Sequence, residues 1–384
     1  MALPPHSDRK PRVLCSGRFF DEIPGGMQKH VEHLFAALRN EVDFVHLVPS
    51  RDRRGAQFDL HGFPVIRTPS LNVDGSLALS PALIPRARAL HRQYQFDLIH
   101  LHFPDPMSHL ASLALPWCLP RVITWHADII RQRKLALAYR PWLRHAMASA
   151  AAIVVPTPAH ISSSAVLSRL GDPSRLHIIP FGFDLTLFLT PHPEAAAIAA
   201  RYPGRRVFAL GRHVYYKGFD VLIRALPQLP PDTQILIGGA GPLTHQWKAL
   251  ATSLNLTGRV HFLGMIEDSI LPAYYQACDL FCLPAVSQAE AFGIVQVEAM
   301  ACGKPVVSTR LNNGVDFVNQ HGVSGITVEL GNVDALAAGL NTLLSDPTKR
   351  ERLGRQAKQR AVEKFSLQAM GQKTLSLYHS VLSQ

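Results

Sequence analysis

The sequence predicts a mixed α/β protein of two doubly wound domains facing across a cleft. Three observations predict it. Short apolar runs alternate with helical stretches, and the alternation occurs twice. The runs are continuously apolar, as in Ala-Ala-Ile-Val-Val-Pro at 151–156, which suits parallel strands covered on both faces. One stretch, 180–193, breaks the rhythm and reads as a linker. The 384 residues are 47% hydrophobic and 17% charged, so large buried cores are available and a disordered chain is excluded.

In the first domain, residues 1–185, strands are expected at 12–15, 42–48, 64–67, 97–102, 121–126, 152–156 and 176–180. Helices are expected between most of them, at 26–39, 81–94, 107–115, 131–149 and 158–170. In the second, residues 186–365, strands are expected at 207–210, 234–237, 260–263, 280–283, 305–308 and 325–329. Helices alternate with them at 217–229, 242–254, 269–277 and 293–301, and further helices follow to the end, the last an amphipathic one at 366–382. Ligands of such sheets bind at the carboxyl ends of the strands, so the chemistry is expected in the cleft.

Composition narrows the function. Five cysteines are too few for a disulfide scaffold, and none lies in a C-x-x-C pair, which argues against a zinc ribbon or a thioredoxin-like site. Their usage fits a reducing cytosol. No apolar run is long enough to cross a membrane, and the first residues lack a signal-peptide core. A cytoplasmic protein is expected, or one attached to a membrane from the cytosolic side. Lys and Arg outnumber Asp and Glu by 39 to 28, a net charge of +11, which favours anionic partners. No basic helix-turn-helix, zinc finger or aromatic RNA-binding pattern is present, so nucleic acid is disfavoured.

The strongest motif is Glu290-Ala-Phe-Gly-Ile-Val-Gln-Val-Glu298, after an expected strand. Glu290 falls on the loop, and Glu298 a turn or so inside the helix with its Cβ leaning back toward the helix start. Between them, the amides near Gly293, Ile294 and Val295 form an anion site reinforced by the helix dipole. A chance pairing of a surface and an interior glutamate fits this full context poorly. In Gly211-Arg212-His-Val-Tyr-Tyr-Lys217-Gly218, an Arg and a Lys converge where the helix starts. Arg212 can fork across phosphate oxygens and Lys217 adds a compact charge.

Weaker signals are Gly25-Gly26, opening the first domain's first helix, and Thr124-Trp-His126-Ala-Asp128 at a strand end. Turn glycines at 238–242 (with Gly239) and 264–266 (with Met265) are a third. The basic, aromatic stretch 131–144 has the makings of an interfacial helix, and reads equally well as a solvated helix with a buried stripe.

The Glu-x7-Glu pair at the strand-to-helix turn of a second Rossmann-like domain resembles the retaining glycosyltransferases of the GT-B fold, family 4. The likeness spans nearly the whole chain. It implies that Glu290 contacts donor-sugar hydroxyls, that Glu298 binds the nucleotide ribose, and that amides near Gly293–Val295 hold the phosphates. Arg212 and Lys217 would neutralise the departing diphosphate, and His126 would hydrogen-bond the donor sugar. Asp128 would orient His126 or meet the acceptor. Gly25 and Gly26 would approach the donor phosphates, although the loop is not G-x-G-x-x-G. Gly239 and Met265 would lie in loops enclosing the base. The terminal helix, 366–384, would cross back onto the first domain.

The resemblance implies a retaining, metal-independent hexosyltransferase without cofactor, and the chain has no Asp-x-Asp motif. The expected partners are a nucleotide-diphosphate sugar, a glycan or polyprenyl-linked acceptor of surface polysaccharide or lipopolysaccharide, and an anionic membrane surface. The segments around His126 and Asn313 lean toward GDP-mannose. UDP-sugars stay open, as does a catalytically silent nucleotide-sugar-binding partner subunit.

Overall fold

The computed structural model describes residues 9–18, 26–50, 53–73, 77–126, 133–169 and 172–384, with backbone course alone at 72–73, 77–78 and 133–138. The chain divides into two units, Met1–Phe183 with Leu367–Gln384, and Asp184–Ser366.

The first unit is built on β1 (Arg12–Ser16), β2 (Asp43–Pro49), β3 (Ala56–Leu60), β4 (Phe63–Thr68), β5 (Leu71–Val73), β6 (Leu77–Leu79), β7 (Leu98–Phe103), β8 (Arg121–Trp125), β9 (Ala152–Val155) and β10 (Leu176–Ile178). Eight of them form one sheet in the order β10-β9-β8-β7-β1-β2-β4-β3, parallel except where β3 pairs antiparallel with β4. The sequence reading lacks β3 because Ala-Gln-Phe-Asp-Leu is largely exposed and carries no apolar run. It is an edge strand, joined to β4 through His61 and Gly62, both at positive φ as a two-residue hairpin turn requires. The small hairpin β5–β6 was also not foreseen.

Two apolar layers cover this sheet. One joins Val13, Val31, Phe35 and Phe44 to Met370, Leu377, Tyr378 and Val381 of the terminal helix Leu367–Leu382. The other packs Leu83, Leu90, Ile99, Phe103 and Trp125. The terminal helix therefore belongs to the first unit. It comes close enough to the helix Gly26–Leu38 that a Cβ on Gly371 would lie 3.0 Å from that of Ala37.

The second unit has β11 (Arg205–Leu210), β12 (Thr233–Gly238), β13 (Val260–Gly264), β14 (Leu280–Leu283), β15 (Val306–Thr309) and β16 (Gly325–Val328). All are parallel, in the order β13-β12-β11-β14-β15-β16. Numbered from β11, this is the 3-2-1-4-5-6 order of the Rossmann sheet. Two expected helices are interrupted. The stretch 217–229 is a 3-10 turn at Tyr215–Lys217, then Gly218 at φ +64°, then a helix at Phe219–Ala225. The stretch 158–170 ends its helix at Ser163, because Ser164 turns extended and its hydroxyl accepts the Leu167 N–H at 3.1 Å.

Candidate functional site

In the second unit the sheet order sets β11 beside β14. The loops that follow these two strands flank the point where strand order reverses, where ligands of open α/β sheets bind. Lys217 stands at the end of the first loop and Glu290 on the second. Lys217 Nζ donates to Glu290 Oε2 at 2.5 Å, and the two side chains are only 10% and 11% exposed. The lysine stem lies over Gly211, where an added Cβ would meet its Cε at 2.9 Å. Asn313 holds the other side of the loop. Its Nδ2 donates to the Glu290 carbonyl at 2.7 Å, while its Oδ1 accepts the Val315 N–H at 2.9 Å. Arg212 is exposed on the first loop.

Gly293 caps the helix Ile294–Ala301 at φ +71°, a left-handed conformation costly for other residues. The first amides of a helix have no intrahelical acceptor, and here they belong to the helix's opening residues, exposed Ile294 and half-buried Val295. Glu298 lies within the same helix and is half-buried. Its carboxylate accepts a 2.7 Å hydrogen bond from the Tyr275 hydroxyl. Tyr275 is fully buried among Phe188, Phe208 and Phe281. Burial first, and then the Glu298 charge, pushes its phenol well above the ordinary value, so it remains a donor. Gly239 donates to the Gly264 carbonyl at 2.7 Å. It sits at φ +104° with no room for a Cβ, which would fall 2.1 Å from the Gly211 carbonyl oxygen. Three loops thus meet backbone to backbone at the strand ends, with Met265 79% exposed beside them.

The first unit carries a second cluster. His126 follows β8, is half-buried, and donates its backbone N–H to Phe103 O at 3.0 Å. Its Nε2 lies 3.1 Å from His102 Nδ1 on β7. His30, from the helix that Gly26 opens, completes a trio whose ring centroids are 5.2–5.6 Å apart. Burial holds all three uncharged at neutral pH. His30 is pushed down to about 3 by burial and then by His33. His102 and His126 lie well below the ordinary value through burial and then their neighbouring histidines. On the same strand, His100 stacks on His102 at 4.5 Å and bonds Tyr378 Oη at 2.6 Å and Thr124 Oγ1 at 2.7 Å.

Gly25, Asp128 and Arg131 lie outside the described residues. Arg133 and Lys134 open the helix Arg133–Ser149. Of the two rings in that stretch, Tyr139 is half-buried, and its hydroxyl is bonded at 2.9 Å to Nδ1 of His109 on the helix Pro106–Leu113. Trp142 is half exposed and Arg140 and Arg144 are exposed. The two arginines line, with Arg169 and Arg175, a hollow of about 430 Å³. Among the described residues, no helix is long and apolar enough to cross a membrane.

Sequence reasoning missed Tyr275, and it missed the partnership of His30 and His102 with His126. The His100-Leu-His102 spacing was a usable signal, since alternate strand residues share a face. Nothing local marks Tyr275 as a partner of Glu298, 23 residues away.

A Rossmann-ordered sheet with a cation and a carboxylate at its switch point is the build of nucleotide-handling α/β proteins. Residues 196–360 match the family described as glycosyl transferases group 1, and residues 24–187 match glycosyltransferase family 4. D-rhamnosyltransferase WbpZ of Pseudomonas aeruginosa is 33% identical over 271 residues, 70% of each chain. A GDP-mannose-dependent alpha-(1-6)-phosphatidylinositol monomannoside mannosyltransferase of Mycolicibacterium smegmatis is 29% identical over 373 residues, 92% of this chain and 94% of that one. The crystal structure of Anabaena Alr3699/HepE in complex with UDP superposes with a TM-score of 0.74 at 24% identity, covering 96% of this chain and all of that one. The chain belongs to the group 1, family 4 glycosyltransferases and has their GT-B fold of two Rossmann-like domains.

Proposed function

We propose that this glycosyltransferase moves a hexose, mannose before others, from a nucleoside diphosphate sugar to a hydroxyl acceptor with retention of configuration. The observation that carries the reading is the Lys217–Glu290 pair at the switch point of the second unit, beside the helix mouth at Gly293. In this reading Lys217 exchanges its carboxylate for the donor diphosphate, joined by Arg212 and the Gly293, Ile294 and Val295 amides. Glu290, so released, accepts hydrogen bonds from the sugar hydroxyls. Glu298, aimed by Tyr275, takes the ribose, and Gly239 and Met265 border the base. His126 of the first unit aligns the sugar, with Gly25 and Gly26 near the donor phosphates.

Catalysis then rests on positioning and on charge stabilisation of the leaving diphosphate, supplied by protein cations. The acceptor attacks the face the diphosphate leaves, and a donor phosphate oxygen takes its proton. The GDP-mannose-dependent relative supports mannose. The exposed Arg140, Arg144 and Trp142 support an acceptor held at an anionic membrane, such as a lipid-linked glycan of surface polysaccharide.

A calorimetric screen of GDP-mannose against UDP-sugars, followed by product analysis with the tightest donor, tests this. GDP-mannose is expected to bind most tightly and to yield the α-linked product. Tighter binding of a UDP-sugar, or an inverted product, replaces the corresponding part of the reading. Binding without transfer or donor hydrolysis sinks the catalytic claim.

A further inference from the structure

The histidine trio of the first unit has a geometry that hydrogen bonding leaves unused. One ring nitrogen from each of His30, His102 and His126 lies within 4.8 Å of the other two. A single hydrogen bond, His102 Nδ1 to His126 Nε2, accounts for one pair. His30 Nδ1 is buried with no hydrogen-bond partner among the described residues. His30 and His102 are 8% and 0% exposed. A buried polar atom of this kind is normally satisfied, so His30 Nδ1 calls for a reason.

We propose that His30, His102 and His126 form a binding site for one divalent transition-metal ion of the zinc class, with water as its fourth ligand. In a tetrahedral site with Zn–N near 2.05 Å, ligand nitrogens lie about 3.3 Å apart and imidazole centroids about 5.2 Å apart. The observed centroid separations are 5.6, 5.2 and 5.4 Å, and one nitrogen pair already stands at 3.1 Å. The donor set selects the ion: three imidazoles suit zinc, cobalt, nickel or copper, whereas magnesium and calcium require oxygen. His102 sits on β7, His126 directly follows the neighbouring strand β8, and His30 sits on the helix Gly26–Leu38.

The consequence for turnover rests on the reading of His126 given above. A metal that occupies its Nε2 withdraws that nitrogen from the donor sugar, so zinc competes with the donor and a chelator restores the rate.

The test is cobalt(II) titration of the full chain after chelator dialysis. One equivalent is expected to develop the intense visible absorption of four-coordinate cobalt, to be displaced by zinc and to be indifferent to magnesium. His30→Gln and His102→Gln, checked for folding by circular dichroism, should each weaken cobalt binding by about tenfold or more. Absence of the four-coordinate spectrum in the unaltered chain overturns the site, as does undiminished binding in both folded variants. Stoichiometric zinc that leaves the transfer rate unchanged overturns the competition and the role of His126, while the cobalt spectrum decides the metal site separately.

Discussion

Lys217 and Glu290 neutralise each other where neither is more than about a tenth exposed, so removing one strands the other. Breaking a buried pair from one side costs about 3 kcal/mol. Lys217→Ala is therefore expected to lower the stability of the second unit by about that much and to slow transfer. Arg212→Ala, on an exposed side chain, should slow transfer with stability unchanged within about 0.5 kcal/mol. Thermal melts beside initial rates separate the two, and equal stability losses would break the distinction. Millimolar chelator should leave both the unaltered chain and the variants no slower. Activity that needs magnesium restored would reject protein-supplied charge. The carboxylates should also divide. Glu290→Gln is expected to cut kcat with little loss of nucleotide affinity. Glu298→Gln is expected to weaken nucleotide binding about ten- to a hundredfold, the worth of a charged hydrogen bond. Isothermal titration with free nucleotide, set against steady-state rates, reads the split.

The element with the longest reach is the terminal helix Leu367–Leu382. Met370, Tyr378 and Val381 bury its apolar face on the first unit, 0–6% exposed, so its place is decided by packing. A buried polar anchor is the Tyr378 hydroxyl on His100 Nδ1, 278 residues away in sequence. Tyr378→Phe keeps the ring and its packing but leaves that buried nitrogen unpaired. Such a loss costs about 1–3 kcal/mol. Chemical denaturation of the full chain should show the transition of the first unit moving to lower denaturant while that of the second stays. Coincident shifts of both would show the anchor to be immaterial to the first unit.

Across the whole molecule, charge and protonation set the conditions in which it works. His46 and His109 are both pushed down to about 4, the first by burial, the second by burial and then by His145 and Arg121. The unfolded chain therefore binds more protons than the folded one between about pH 6.5 and pH 4. The stability these groups contribute is complete above pH 6.5 and is lost as the pH falls to about 4. At pH 5 the loss is roughly 2 kcal/mol per histidine. Calorimetry at pH 7 and pH 5 should show the first unit's transition falling with acid, and an unmoved transition would contradict the burial. The same unit is expected to sediment with vesicles containing anionic lipid and to be released by high salt. Replacing Arg131, Arg133 and Lys134, or Arg140 and Arg144, with Ser should weaken that binding, at about 1 kcal/mol per cation. Equal binding to neutral and anionic vesicles would remove the membrane from the proposal and leave the second-unit site as it stands.

The sequence by itself determined the architecture: apolar runs too continuous for a half-exposed sheet, alternating with helices, demand parallel strands covered on both faces. Local chemistry also marked where glycines, carboxylates and cations leave those strands, because strand-to-helix turns carry their own residue signals. What it left blank were β3, a polar edge strand without an apolar run, the β5–β6 hairpin, and the breaks at Gly218, whose left-handed backbone starts the helix Phe219–Ala225 late, and at Ser164, whose extended backbone ends one early. Tertiary structure alone paired Lys217 with Glu290 across 73 residues, aimed Tyr275 at Glu298 and gathered His30, His102 and His126. Strand order sets β11 beside β14 and β7 beside β8, and the helices packed on these sheets bring Tyr275 to Glu298 and His30 to His102 and His126. Strand order comes from how whole helices and sheets bury their apolar faces together, and no local window of residues contains that sum.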